Sequence, residues 1–135
     1  MELLLIIGTI ILVVVIVFIF AAKPKKIQWH KDVEKKLIQI STLQKQEGAA
    51  SKITALLEYD KLLDFVLKAK GIKGMTMGER LKGAQKFFDN QLYNDIWSAH
   101  KIRNKVAHEM NYQPSEKELS IASSSLRKAI KLLLK

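Results

Sequence analysis

Leu3 to Ala22 is an unbroken run of twenty residues without a formal charge. At about 1.5 Å per residue, a helix of that length spans about 30 Å, the thickness of bilayer hydrocarbon. Valine and isoleucine are poor formers of soluble helix. Hydrocarbon, however, offers the backbone no partner, so its hydrogen bonds must close within the segment and helix wins. A cleaved signal peptide is the competing reading, since Phe20-Ala21-Ala22 is a tolerable cleavage context. Against it, no basic region precedes the apolar run, and the run is longer than a signal core. Residues 1–22 are therefore expected to be a transmembrane anchor.

All 23 Lys and Arg residues lie at or after Lys23, whereas Glu2 is the one acid before it. The remaining 12 acids leave the chain beyond the run with a net charge of +11. Lys23, Lys25 and Lys26 come directly after the run, with Lys31, Lys35 and Lys36 close behind. The positive-inside rule then predicts a single-pass protein in the cell membrane, N-terminus outside and C-terminal domain cytoplasmic. Residues 23–26 read as a basic juxtamembrane linker, with Pro24 separating the anchor from the C-terminal domain. Trp29 sits where an interfacial anchor would sit, and His30 is most simply juxtamembrane. The positive excess fits a solvated surface facing an anionic leaflet, or a polyanion partner such as RNA or anionic lipid. With no cysteine, disulfides, thiolate metal sites and cysteine nucleophiles are excluded. Three scattered histidines make no metal cluster, and no cofactor is expected.

Residues 27–135 read as an all-α bundle of four to five helices. Val33, Leu37, Ile40 and Leu43 place one apolar stripe on a helix from Ile27 to about Gln46, widened by Ile38. Gly48 marks a break. Ala50 to Lys70 is apolar over much of its circumference and is expected at the centre of the domain, with Asp60 inside the apolar face and Asp64 at its edge. After a loop at 71–75, Thr76-Met77-Gly78-Glu79 has the spacing of a capping box, opening a helix from Met77 to Phe88. A fourth helix runs from about Leu92 to about His108. Ser115-Glu116-Lys117-Glu118 is a second capping box, opening a last helix to the C-terminus. Short loops favour antiparallel neighbours.

The chemistry-bearing residues gather in Ala99 to Glu109. Leu92, Ile96, Ala99, Arg103, Val106 and Met110 have the spacing of a core seam, in which Arg103 is the misfit. A guanidinium on an apolar seam needs a partner. Asp60 is the matching misfit on the second helix, so the two are expected to pair. Asn104 and His108, four residues apart, share a face, and the arginine can swing toward it. A guanidinium, an amide and an imidazole around one groove are useful for phosphodiester chemistry. Each also has a bland role: Arg103 as the partner of Asp60, His108 at its helix end, Asn104 as a surface residue. His100, one turn before Asn104, can join the groove or be solvated. Trp97 and Tyr93 read as packing residues.

Arg103-Asn104-Lys105-Val106-Ala107-His108 resembles the R-x4-6-H motif of HEPN domains (higher eukaryotes and prokaryotes nucleotide-binding), which are helical bundles with the motif on a late helix. The wider pattern, a membrane helix followed by a basic bundle, resembles small bacterial membrane proteins. The resemblance implies a metal-independent endoribonuclease whose motifs meet at a homodimer interface. In that scheme His108 assists attack of the RNA 2′-hydroxyl, Arg103 stabilises the phosphate and Asn104 orients it. Asp60 and His100, read from their own positions in the sequence, are the supporting candidates. Some HEPN toxins carry a tyrosine two positions after the histidine. Met110 stands there in this chain, which argues against that type. Other HEPN domains serve as interaction or RNA-binding modules. The alternative reading is therefore a non-catalytic helical scaffold at the membrane, and a further one is recognition of anionic lipid by the basic face.

Overall fold

The protein is described by a computed structural model covering residues 1–21 and 25–135, with the backbone alone at 25–27. Among these residues the regular structure is helical throughout, with no strand. The helices are α1 (Glu2–Ala21), α2 (Lys25–Lys45), α3 (Ala49–Ala69), α4 (Met77–Gly83), a 3-10 turn (Gln85–Phe87), α5 (Asn90–His108) and α6 (Glu116–Leu133). Pro24 and Lys23, expected in a linker, lie outside the described residues. Lys25 and Lys26, expected in the same linker, belong to the backbone of α2.

The chain forms two compact units, Met1–Lys31 and Asp32–Lys135. In the first, α1 is long and apolar enough to cross a membrane, and none of its side chains is buried by the protein. Its one internal hydroxyl, on Thr9, donates to the Ile6 carbonyl at 2.8 Å, so that polar group needs no outside partner.

The second unit is organised on α3. Ala55, Leu56, Tyr59, Leu62, Leu63, Val66 and Leu67 are buried there, and the helix packs against α4, α5 and α6. Each fully buried leucine contributes roughly 1.5–3 kcal/mol relative to exposure. Helix α6 presents Leu119, Ala122, Leu126, Ala129, Ile130 and Leu133 to this core and also packs along α5. From α2, Val33, Leu37 and Ile40 are buried, and Lys36 pairs with Glu58 of α3 at 2.9 Å. Tyr59 is wholly buried, and its hydroxyl donates to Gln44 at 3.3 Å. Leu43 is only half-buried, and Ile38 is exposed, so the α2 stripe is narrower than its spacing predicts.

The helix expected to reach Phe88 ends at Gly83. A Cβ at Gly83 would stand 3.1 Å from the Ile72 methyl, so the chain uses glycine where the preceding loop folds back. The 3-10 turn then tightens the path. Phe88 is buried by it while Phe87 stays exposed. Leu81 and Ala84 are buried as their spacing predicts.

The two capping boxes differ. At Ser115 both halves form: its hydroxyl accepts from the Glu118 N–H at 3.2 Å, and the Glu118 carboxylate accepts from the Ser115 N–H at 2.8 Å. At Thr76 only the forward half forms, with the hydroxyl accepting from the Glu79 N–H at 3.2 Å. The Glu79 carboxylate takes the Met75 N–H instead, one residue upstream of the expected donor. This loop also holds Gly74 at φ 155, where a Cβ would come within 2.9 Å of the Arg80 backbone nitrogen. The close approach lets the Gly74 carbonyl accept from Arg80.

Arg80 itself is buried and donates from Nε to Asp64 at 2.7 Å, while Lys68 reaches the other oxygen at 2.7 Å. Burial pushes the Asp64 carboxyl up, but the hydrogen bonds from Arg80 and Lys68 outweigh it and hold it below its ordinary value. A depressed carboxyl stabilises the fold fully above its unfolded value, about 3.9. That stability is lost as pH falls through the lower folded value. Asp64→Asn is therefore expected to lower stability at neutral pH and to flatten the loss below about pH 4. Denaturant unfolding of the detergent-solubilised full chain across pH checks this; an unchanged acid limb would refute it. Ser115→Ala is expected to cost about 1 kcal/mol in the same assay through loss of the cap.

Candidate functional site

Between α3, the start of α4 and α5 lies a groove of about 760 Å³. Its lining includes a polar cluster, Asp60 of α3 with His100, Arg103 and Asn104 of α5, alongside Glu58, Lys61 and Asp64 of α3. Asp60 is placed by the apolar face of α3: Tyr59 and Leu63 are wholly buried on either side, which carries the carboxylate into the interior at 4% exposure. On α5, Arg103 and Asn104 lie three and four residues after His100. All three therefore lie on one side of the helix over a single turn.

The four side chains close a ring. His100 Nδ1 lies 2.8 Å from Asp60 Oδ1. A carboxylate only accepts, so Nδ1 carries a proton. Asn104 Nδ2 stands 3.4 Å from the imidazole Nε2, a long contact. Asn104 Oδ1 in turn accepts from Arg103 Nη1 at 3.0 Å. Arg103 Nε returns to Asp60, 3.3 Å from Oδ2. That last contact is an ion pair by distance, but its N–H is not aligned for a hydrogen bond, and the buried Nε has no other partner. Charge attraction requires no alignment, so Coulomb attraction rather than a directed bond holds this side of the ring. Trp97 packs edge-on to His100 at 6.1 Å and to Tyr93 at 6.3 Å, fixing the imidazole plane from behind.

Exposure grades across the ring. The Asp60 and His100 side chains are 5% and 12% exposed, and that of Arg103 is 33% exposed. The carboxylate and imidazole form the floor, and the guanidinium reaches the mouth. Arg103 has five N–H donors and spends one on Asn104, which leaves donors for an anion in the groove.

Of the residues singled out in the sequence, Arg103, Asn104, Asp60 and His100 are brought together, and His108 is not. His108 is exposed in the last position of α5 and lines no part of the groove. Asn104 turns away from the face it shares with His108 and toward Arg103 and His100. His100 is no solvated side chain: it makes the shortest contact to Asp60 in the ring. Its signal in the sequence was its three- and four-residue spacing to Arg103 and Asn104. The seam predicted through Met110 runs out early. Leu92, Ile96 and Ala99 are buried, Val106 is half-buried, and Met110 is fully exposed beyond the helix end. Among the described residues no group of His, Cys, Asp or Glu is arranged to hold a metal ion. No family model, curated protein or solved structure matches the chain.

Asp60→Ala leaves two donors facing a hole at the core edge. The expected loss is on the order of 3 kcal/mol of stability, as for other broken buried pairs. A double-mutant cycle with Arg103→Ala on the full chain measures the coupling. Additive losses would show that the 3.3 Å pair carries no energy.

Proposed function

We propose that the chain is a membrane-anchored, HEPN-like helical protein that acts on RNA, with the bundle on the cytoplasmic side and two copies forming the working unit. The observation that carries this reading is the graded ring: a guanidinium at the mouth of a groove, backed by an imidazole that a buried carboxylate orients. Arg103 would hold the non-bridging oxygens of a phosphodiester, and Asn104 would orient it. An imidazole nitrogen would take the proton of the attacking 2′-hydroxyl. Bond formation from that oxygen to phosphorus would expel the 5′-oxygen, which takes a proton from water, leaving a cyclic phosphate. His108, exposed at the end of α5 and outside the lining of this groove, would act on such a phosphate from a second copy. The apolar helix α1 supports the anchor, and the lysines just beyond it support the orientation.

A second reading is favoured by the same ring. Its donors and acceptors largely satisfy one another, as a structural polar network does. The protein would then be a non-catalytic helical interaction module at the membrane.

Incubation of the detergent-solubilised full chain with RNA in EDTA separates the two. The expected result is cleavage to cyclic-phosphate ends, reduced by about 10²-fold or more in folded Arg103→Ala and His100→Ala proteins. The same test on His108→Ala asks whether the motif histidine contributes. Absence of both cleavage and salt-dependent RNA binding would leave the module reading. The anchor predicts that the protein stays with membranes in high salt and alkali and is released by detergent; release by salt alone would contradict it.

A further inference from the structure

Every side-chain cation that contacts a carboxylate in the second unit does so at a defined pair: Lys36, Lys52, Lys68, Arg80 and Arg103 each have one. Many of the other cations do not, and four of these gather at the C-terminal end of the chain. Arg127, Lys128 and Lys131 of α6, and Lys135 just beyond it, form no ion pair among the described residues. At about 100° per residue, these four positions fall within roughly 100° of the helix circumference and extend over about 12 Å. Together with Ser124 and Leu132 they line a groove of about 420 Å³ to which no Asp or Glu side chain contributes.

Two features set this stripe apart from a solvated face. The Arg127 Nε is buried and has no hydrogen-bond partner, so one desolvated donor of the guanidinium is left unanswered. The charge of that guanidinium also reaches the core: burial pushes the Tyr59 phenol up, and Arg127 partly opposes it. The helix dipole accounts for cations in the last turn of α6, but its effect fades within that turn, and Arg127 and Lys128 lie further back. Four like charges gathered with no Asp or Glu side chain among them raise the local potential, and a bound polyanion relieves it.

We propose that this stripe of α6 is a docking surface for the phosphate backbone of single-stranded RNA, separate from the groove at Asp60. The inference rests on the RNA reading above. A row of point charges along a helix complements the repeated phosphates of a strand, and the exposed Leu132 beside it offers an apolar surface for a base or ribose. Lysines supply charge to the phosphates, and Arg127 supplies directed donors.

The test is the binding of a labelled oligouridylate to the detergent-solubilised full chain, followed by fluorescence anisotropy between about 50 and 200 mM salt. The variant Lys128→Ala/Lys131→Ala/Lys135→Ala removes three exposed side chains and should leave the helical circular dichroism unchanged. Its plot of log affinity against log salt is expected to be shallower by about 2, near 0.7 for each lost phosphate contact. A control of equal charge, Lys45→Ala/Lys73→Ala/Lys117→Ala, should keep the wild-type slope. If wild type binds RNA and both variants keep its slope, the stripe is overturned while the RNA reading stands. An equal drop in both variants overturns it too, because net charge alone then explains binding. If wild type binds no RNA, both readings fall. If RNA binding is unchanged while the three lysines become protected from acetylation in phosphatidylserine but not phosphatidylcholine vesicles, the surface takes lipid and the proposal is overturned.

Discussion

A single carboxylate sets the terms for the bundle. Asp60 is one of the buried residues of α3, where an unpaired charge would be strongly unfavourable. Two groups of α5 answer it, an imidazole at 2.8 Å and a guanidinium at 3.3 Å. Their positions on α5 dictate how that helix must lie against α3. An apolar contact between the same two helices could slide or rotate at little cost. A carboxylate that must meet His100 and Arg103 together admits few registers. The polar ring thus acts as a key between α3 and α5, while the apolar faces of α3 and α6 provide the bulk of the burial.

The same economy serves the groove. A carboxylate that must be buried also orients the histidine, and a guanidinium needed for neutrality projects past it to the mouth. Catalysis and packing would draw on the same four side chains, so a substitution in the ring acts on both. The second carboxylate of α3, Asp64, works differently. It ties Arg80 and the loop at Gly74 to the groove's edge through bonds that lower its titration, and it adds rigidity there rather than reactive groups.

Much of the fold is legible in the sequence. The apolar run, the breaks at Gly48 and after Lys70, the capping boxes and the stripes on α2, α3 and α6 all come from spacing and propensity. Asp60 and Arg103 stand out for the same reason, as charges on faces that otherwise read as core. The end of each pattern is not legible there. The α5 seam stops at Ala99 because beyond it the helix borders the groove rather than packed core, and Met110 is left in solvent. The helix at Met77 ends at Gly83, where Ile72 leaves little room for a Cβ, a contact from outside the segment.

The deepest division concerns the two histidines of α5. Helical periodicity assigns each residue to an angle, and it places His100, Asn104 and His108 on one side of α5. Those angles are local properties of the chain, and the helix honours them. Periodicity carries no information about what stands opposite at each level of the axis. Asp60 stands opposite His100, whereas His108 lies exposed at the end of the helix. Which imidazole enters the ring was therefore decided by the packing of α3 on α5, a contact between residues forty positions apart.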